Sequence, residues 1–246
     1  MSNIVIFGAT SAIALGAARQ WAELGNSFCL VGRDAERLKV VGDDLRIRGA
    51  ARCVEVAGDA ADISAHESIW SQCEAEFGGK VDTVLVAYGS LPDHEAVLLD
   101  PVAVCRSIQV NFTSVVALLT RIVPVFERAG RGTIAVICSV AGDRGRQSNY
   151  IYGAAKGGLA VFLEGLRNRL ASRGVHVLTI KPGFVDTPMT AHLRKGPLFA
   201  SAEEVGRGIV QAVERCRDVV YLPWFWRPIM AMIRAVPEGI FKYLKL

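Results

Sequence analysis

The chain alternates short, nearly continuous apolar runs with longer segments whose apolar residues return every three or four positions. The runs at 4–7, 28–31, 53–56, 81–87, 133–139, 175–180 and 219–222 have the length and β-branched character of strands. Between them, helical spacing predicts a helix after Thr10 and Ser11, which can cap it, with Ile13, Leu15, Ala18, Trp21 and Leu24 on its apolar face. Further helices are expected at 34–48, 62–77 and 101–128, the last interrupted or ended around Pro124, and another carries Tyr152 and Lys156. Apolar strands lacking polar alternation, separated by helices, mark a parallel sheet covered on both faces. No linker, repeat or low-complexity segment divides the series. The expected architecture is α/β, a Rossmann-type doubly wound parallel sheet of about seven strands with helices on both faces, forming one domain over 1–246.

Composition narrows the classes. A hydrophobic share of 51% with 21% charged residues supplies a sizeable core and excludes a mainly disordered chain. The net charge of +4 is mild and its lysines and arginines are dispersed, so nucleic acid is not an expected partner. Six cysteines without a Cys-x-x-Cys pair read as reduced core residues of a cytoplasmic protein, and no metal site is expected. The first residues carry neither a basic region nor a long apolar one, so no signal peptide and no membrane-spanning run is expected.

Candidate chemistry gathers where strands end. Gly8 closes the first strand just before a helix N-terminus, an arrangement in which free N–H groups and the helix dipole favour an anion. Arg33 follows the second strand, where a guanidinium suits a 2′-phosphate and an acidic residue would suit a bare ribose diol. Asn111 places an amide in an otherwise apolar helical stretch. Ser139 ends the fifth strand, and Tyr152 and Lys156 lie one helical turn apart on a shared face. An ammonium beside a phenol favours phenolate and lowers a pKa that starts near about 10, which would let the tyrosine exchange a proton near neutral pH while Ser139 holds a substrate oxygen. Alone, such a tyrosine and lysine pair occurs in many helices as an exposed phenol and a solvated amine. Residues 184–200 form a loop rich in Pro, Gly, Arg, Lys and His, long enough to act as a lid over a crevice at strand C-termini. The tail, 221–246, mixes Trp224, Phe225, Trp226, Met230, Met232, Ile240, Phe241 and Tyr243 with Arg227, Arg234, Lys242 and Lys245. Its helical pieces, between Pro228 and Pro237 and beyond, are too short to span a bilayer. They could lie in its surface, pack on the domain or cover a subunit interface.

Together these positions resemble the short-chain dehydrogenase/reductase family over essentially the whole chain. Residues 8–14 fall on its Thr-Gly-x-x-x-Gly-x-Gly turn, with Phe7 in place of the threonine and Ala12 and Ala14 in place of two glycines. Asp59 falls on the acidic residue that meets adenine, and Val86-Ala87-Tyr88-Gly89 on the Asn-Asn-Ala-Gly segment, keeping only the glycine. Asn111, Ser139, Tyr152 and Lys156 match the catalytic tetrad in identity and order, and Pro182-Gly183 with Thr187 match the element whose threonine holds the nicotinamide carboxamide. The resemblance implies a cofactor site at Gly8, Thr10, Ser11, Ala12, Ile13, Arg33, Asp59, Ala60, Ala87, Gly89, Tyr152, Lys156, Pro182, Gly183, Val185 and Thr187, with NADP(H) favoured over NAD(H) on account of Arg33. It implies that Lys156 also binds the nicotinamide ribose, that Asn111 holds a water leading to solvent, and that the subunits form a homodimer or homotetramer. Within the family the likeness is to reductases of a 2-keto pentose carried on polyprenyl phosphate, seen in Ala141-Gly142-Asp143-Arg144, Ser148-Asn149, residues 182–193 through His192, and the tail. On that reading Arg144, Arg146, Arg194 and Lys195 recognise a phosphate and the tail holds the enzyme peripherally at the inner face of the membrane. Two other readings stand beside it: a general soluble ketone reductase, and a non-catalytic dinucleotide-binding sensor.

Overall fold

The computed structural model describes residues 1–191 and 193–244; His192, Lys245 and Leu246, with the expectations placed on them, lie outside the described residues. Nine strands are formed: β1 (Asn3–Phe7), β2 (Ser27–Gly32), β3 (Arg52–Ala57), β4 (Thr83–Val86), β5 (Thr133–Ile137), β6 (His176–Pro182), β7 (Phe184–Asp186), β8 (Phe199–Ser201) and β9 (Val219–Leu222). Ten α-helices accompany them: α1 (Ala12–Glu23), α2 (Ala35–Ile47), α3 (His66–Glu76), α4 (His94–Leu98), α5 (Pro101–Ile108), α6 (Ser114–Ala129), α7 (Tyr150–Ala171), α8 (Ala202–Glu214), α9 (Trp226–Ala235) and α10 (Glu238–Phe241).

Seven strands join one parallel sheet in the order β3-β2-β1-β4-β5-β6-β9. The two-residue period of a strand explains the layers. Val5, Phe7, Val84 and Val136 face α3, α6 and α7, whereas Ile4, Ile6, Leu85 and Ala135 face α1, α2 and α8. The order reverses direction beside β1, so the loops at the C-terminal ends of β1, β4, β5 and β6 border one crevice.

Three local expectations are corrected. On α1 the buried face is Ala14, Gly16, Ala17, Ala18, Trp21 and Ala22, with Leu24 60% exposed. The reason is close helix packing: a Cβ on Gly16 would come within 2.5 Å of the Ala202 carbonyl oxygen at the start of α8, so small residues take the face. Pro124 lies inside α6 without ending it; the break in 101–129 is a π-helical turn at Gln109–Thr113, centred on Asn111. This stretch is long and apolar enough to cross a membrane by length and composition, and here Val115, Leu118, Leu119, Ile122 and Phe126 sit in the core. Of the cysteines, Cys29, Cys53, Cys73 and Cys138 are buried while Cys105 and Cys216 are exposed.

The 184–200 segment is more ordered than a plain loop. β7 and β8 pair in parallel, joining Phe184 to Phe199 in register, and the two rings stack at 5.2 Å.

Candidate active site

The turn after β1 depends on Gly8. Its φ of 81° lies in the left-handed region, and a Cβ there would approach the Tyr88 backbone nitrogen to 2.7 Å. Ser11 is the N-cap of α1, yet its side chain makes no cap bond, contrary to the capping expectation, and the first turn holds no acidic residue. The backbone N–H groups of that turn, flanked by exposed Thr10 and half-buried Ala12 and Ile13, are therefore available to an anion. Arg33 stands exposed one residue past β2 and makes no hydrogen bond or ion pair with any described residue. Beyond β3, exposed Asp59 accepts a hydrogen bond from the Ala61 backbone N–H at 2.9 Å, while Ala60 is buried. These features fit a dinucleotide with an extra phosphate: unpaired donors, an unpaired guanidinium and a close glycine turn lie along successive strand ends.

The four tetrad positions converge on the ends of β4 and β5. α7 lies directly on the 140–142 turn because Gly153 and Gly157 carry no Cβ; one on either would come within 2.8 Å of the Ala141 or Gly142 carbonyl oxygen. This approach brings the Tyr152 hydroxyl to the Ser139 side chain, with which it hydrogen-bonds. Ser139 is extended, and its Oγ also accepts from the Ala141 N–H at 3.1 Å, which fixes the serine rotamer. Lys156, 3% exposed, donates from Nζ to the Ile137 carbonyl oxygen at 3.0 Å. A Cβ on Gly89 would lie 2.8 Å from Asn111 Oδ1 and 3.5 Å from Lys156 Nζ, so that glycine sits between the amide and the ammonium.

Two electrostatic expectations change. Burial pushes the Tyr152 phenol up to about 12, against the lowering effect of its Ser139 hydrogen bond. Lys156 is itself lowered by burial, and its ammonium is spent on the Ile137 carbonyl. Sharing a helix face therefore does not by itself bring an ammonium onto a phenol, because a four-carbon stem can turn to another acceptor. Asn111, fully buried, donates from Nδ2 to the Ser90 and Ser107 carbonyl oxygens at 2.9 and 3.0 Å, and its Oδ1 accepts from the Ser90 N–H at 3.1 Å. It ties the loop after β4 to the π-turn, leaving one Oδ1 lone pair for a water.

After β6, Pro182 and Val185 are buried, and the Gly183 N–H donates to the Leu222 carbonyl oxygen at 3.0 Å. Thr187 opens a short helical turn whose Thr190 hydroxyl accepts from the Thr187 N–H at 3.2 Å.

Around this centre the structure reassigns several side chains. Arg144 donates to the Ile233, Arg234 and Val236 carbonyl oxygens at 2.8, 3.1 and 2.6 Å, pairs with Glu238 at 2.9 Å and stacks over Phe241. It fastens the C-terminal end of α9 and is not a free phosphate ligand. Lys195 pairs with Asp186 at 2.7 Å, and Arg194 is exposed. Arg146 alone of the four has a buried Nε without a partner and is lowered by burial. Sequence reasoning passed over two features. One is the buried pair of Lys181 and Asp143, 2.6 Å apart, with the Tyr221 hydroxyl donating to Asp143 at 2.7 Å. The other is Trp226, 3% exposed, the first residue of α9. An acidic residue five positions before the helix of Tyr152 hints at the first; the aromatic cluster of the tail hints at the second only in retrospect.

The family model for short chain dehydrogenases matches residues 2–197. The chain belongs to the short-chain dehydrogenase family. An oxidoreductase of Mycobacterium tuberculosis whose activity is uncharacterized is 34% identical over 239 residues, covering 97% of this chain and 95% of the relative. Among solved structures, a short-chain dehydrogenase from Sphingobium yanoikuyae in complex with NADPH has a TM-score of 0.81 at 21% identity, covering 97% of this chain and 98% of that one. One from Burkholderia cenocepacia in complex with NADP has a TM-score of 0.82 at 21% identity, over 100% of this chain and 98% of that one. Like its family, this dehydrogenase is an NAD(P)-dependent oxidoreductase.

Proposed function

We propose that this short-chain dehydrogenase interconverts a ketone and a secondary alcohol with NADP(H), and that Ser139, Tyr152 and Lys156 carry the proton side of the reaction. The supporting observation is the Ser139 contact to the Tyr152 hydroxyl beside buried Lys156, all at the ends of β4 and β5. The dinucleotide, when bound, supplies or accepts the hydride. Ser139 holds and polarises the carbonyl oxygen; Tyr152, protonated at neutral pH, gives it a proton in reduction and takes one back in oxidation. Lys156 carries a positive charge near the place where oxygen becomes negative, and Asn111 holds the loop that carries Gly89 beside it. Arg33, with no protein partner, favours the 2′-phosphate. Arg33→Asp should therefore lose NADPH preference by roughly 10- to 100-fold, the scale of a charge-assisted hydrogen bond. Comparing kcat/KM for NADPH and NADH in both proteins checks this, and an unchanged ratio removes Arg33 from cofactor choice.

The finer reading is a keto-sugar substrate on a polyprenyl phosphate. Arg146 supports it: its only charged neighbour of note, Asp143, is already held by Lys181, which leaves a partly buried cation in need of an anion. The tail supports the location, since Trp224, Met232, Ile240 and Tyr243 are exposed among Arg227, Arg234 and Lys242. Flotation with anionic liposomes, combined with turnover of a polyprenyl-phosphate 2-keto pentose, is the test. Binding to the vesicles and a roughly tenfold rise in KM for Arg146→Met are expected. A protein that stays in the aqueous fraction and turns over only neutral ketones is a general ketone reductase. Association into a dimer or tetramer through α6 and α7 is part of the same proposal.

A further inference from the structure

The tail reaches the centre of the site through one residue. Trp226 packs so closely on Gly183 that a Cβ on the glycine would fall on the indole Nε1 and Cε2. Its ring meets Phe184 edge-on at 5.4 Å and an interplanar angle of 75°. It also belongs to the apolar cluster of Val140 and Met230, and Val140 directly follows Ser139. The indole thus lies between the Ser139 turn and the Pro182-Gly183 turn, the two chain segments that flank the reacting groups.

Its polar atom is unusual. Nε1 is buried and has no hydrogen-bond partner among the described residues. A buried indole N–H nearly always finds an acceptor, and leaving one unpaired costs about 1–3 kcal/mol. Nor is the indole loosely held: Arg144 anchors the far end of α9 through three carbonyls, and the buried Asp143 beside it accepts from Tyr221 and Lys181, next to α9 and β6. A rigidly mounted donor that no protein group answers implies that a ligand answers it.

We propose that Trp226 is a specificity-determining residue whose indole forms one wall of the substrate pocket and whose Nε1–H donates to an oxygen next to the reacting carbonyl, so that the site favours hydroxylated ketones over plain ones. This rests on the ketone-reductase reading and names its substrate class. A site that offers a buried donor discriminates against a substrate that cannot satisfy it. The bulk of the indole, in turn, limits how large a group can lie against Gly183.

The probes are cyclohexanone and 2-hydroxycyclohexanone, used with NADPH on the full chain. The native protein should prefer the hydroxyketone in kcat/KM by about three- to tenfold, the worth of one hydrogen bond, with the difference carried by KM. Trp226→Phe keeps a ring and removes the N–H; it should erase the preference, leave cyclohexanone turnover in place and leave NADPH affinity unchanged. Equal kcat/KM for the two ketones in the native protein, or an equal loss for both in Trp226→Phe, overturns the proposal. Calorimetric binding of the same two ketones to the protein–NADP⁺ complex separates this from the parent reading. Discrimination in binding that Trp226→Phe abolishes supports the indole donor even where no ketone is reduced, an outcome that would sink the reductase reading alone. Binding without discrimination overturns the role of Trp226 whatever the turnover.

Discussion

Tyr152→Phe abolishes measurable ketone reduction, a loss of about 10²–10⁴-fold, while NADPH still binds. The phenylalanine keeps the ring that α7 places against the 140–142 turn and removes only the hydroxyl that meets Ser139. Nothing else in the site offers a proton in that place: Lys156 is turned to the Ile137 carbonyl, and Asn111 has spent both amide hydrogens on backbone oxygens. The pH profile carries the sign. Because burial raises the phenol to about 12, it stays protonated through neutral pH, and reduction should show no loss from this group until strongly alkaline conditions. Alcohol oxidation, which needs phenolate, should climb as pH rises towards that value. Stopped-flow measurement of nicotinamide absorbance in both directions reads both effects. Turnover retained by the phenylalanine variant removes the phenol from the mechanism.

Asp143→Asn should destabilise the protein by roughly 3–5 kcal/mol, because it leaves the Lys181 ammonium buried without its counter-charge. Asp143 has a side chain 1% exposed and Lys181 one that is 10% exposed, so water replaces little of the lost partner. For a chain of this size the fall in Tm is roughly 6–20 °C. Burial tends to lower Lys181, but the Asp143 hydrogen bond and charge outweigh it and its pKa is raised. The stabilisation this coupling provides is complete below the unfolded lysine value of about 10.4 and fades as pH climbs through the higher folded one. The gap between native and variant proteins should therefore be full at neutral pH and close at alkaline pH. The double substitution Asp143→Leu with Lys181→Met should recover much of the loss, since a buried pair replaced as a whole costs little. Thermal unfolding of the three variants decides this, and a single variant as stable as the native protein would show that the pair does not hold the Ser139 turn to β6.

The parts legible in the sequence were those set by local chemistry. All seven strands of the main sheet fall where apolar runs were expected, because a strand covered on both faces has no polar alternation to confuse the signal. Less legible were features that depend on what lies across the fold. The inward face of α1 could not be read from its larger side chains, since the small residues that α8 demands carry the contact. Asn111 marked the break in the long helix where Pro124 was the local suspect, because a proline tolerated within a helix looks no different in sequence from one that ends it.

Sequence by itself therefore determined the α/β class, the strand and helix order, and the presence of a serine, a tyrosine and a lysine at spacings that family resemblance makes meaningful. Tertiary structure decided where their charges go. It turned Lys156 towards a backbone carbonyl, spent Arg144 on the end of α9, buried Asp143 with Lys181, and laid Trp226 on Gly183. The reason is physical: periodicity along a chain fixes which face a residue shares, whereas long flexible side chains choose partners by distance and desolvation, and those partners come from segments as many as 90 residues away.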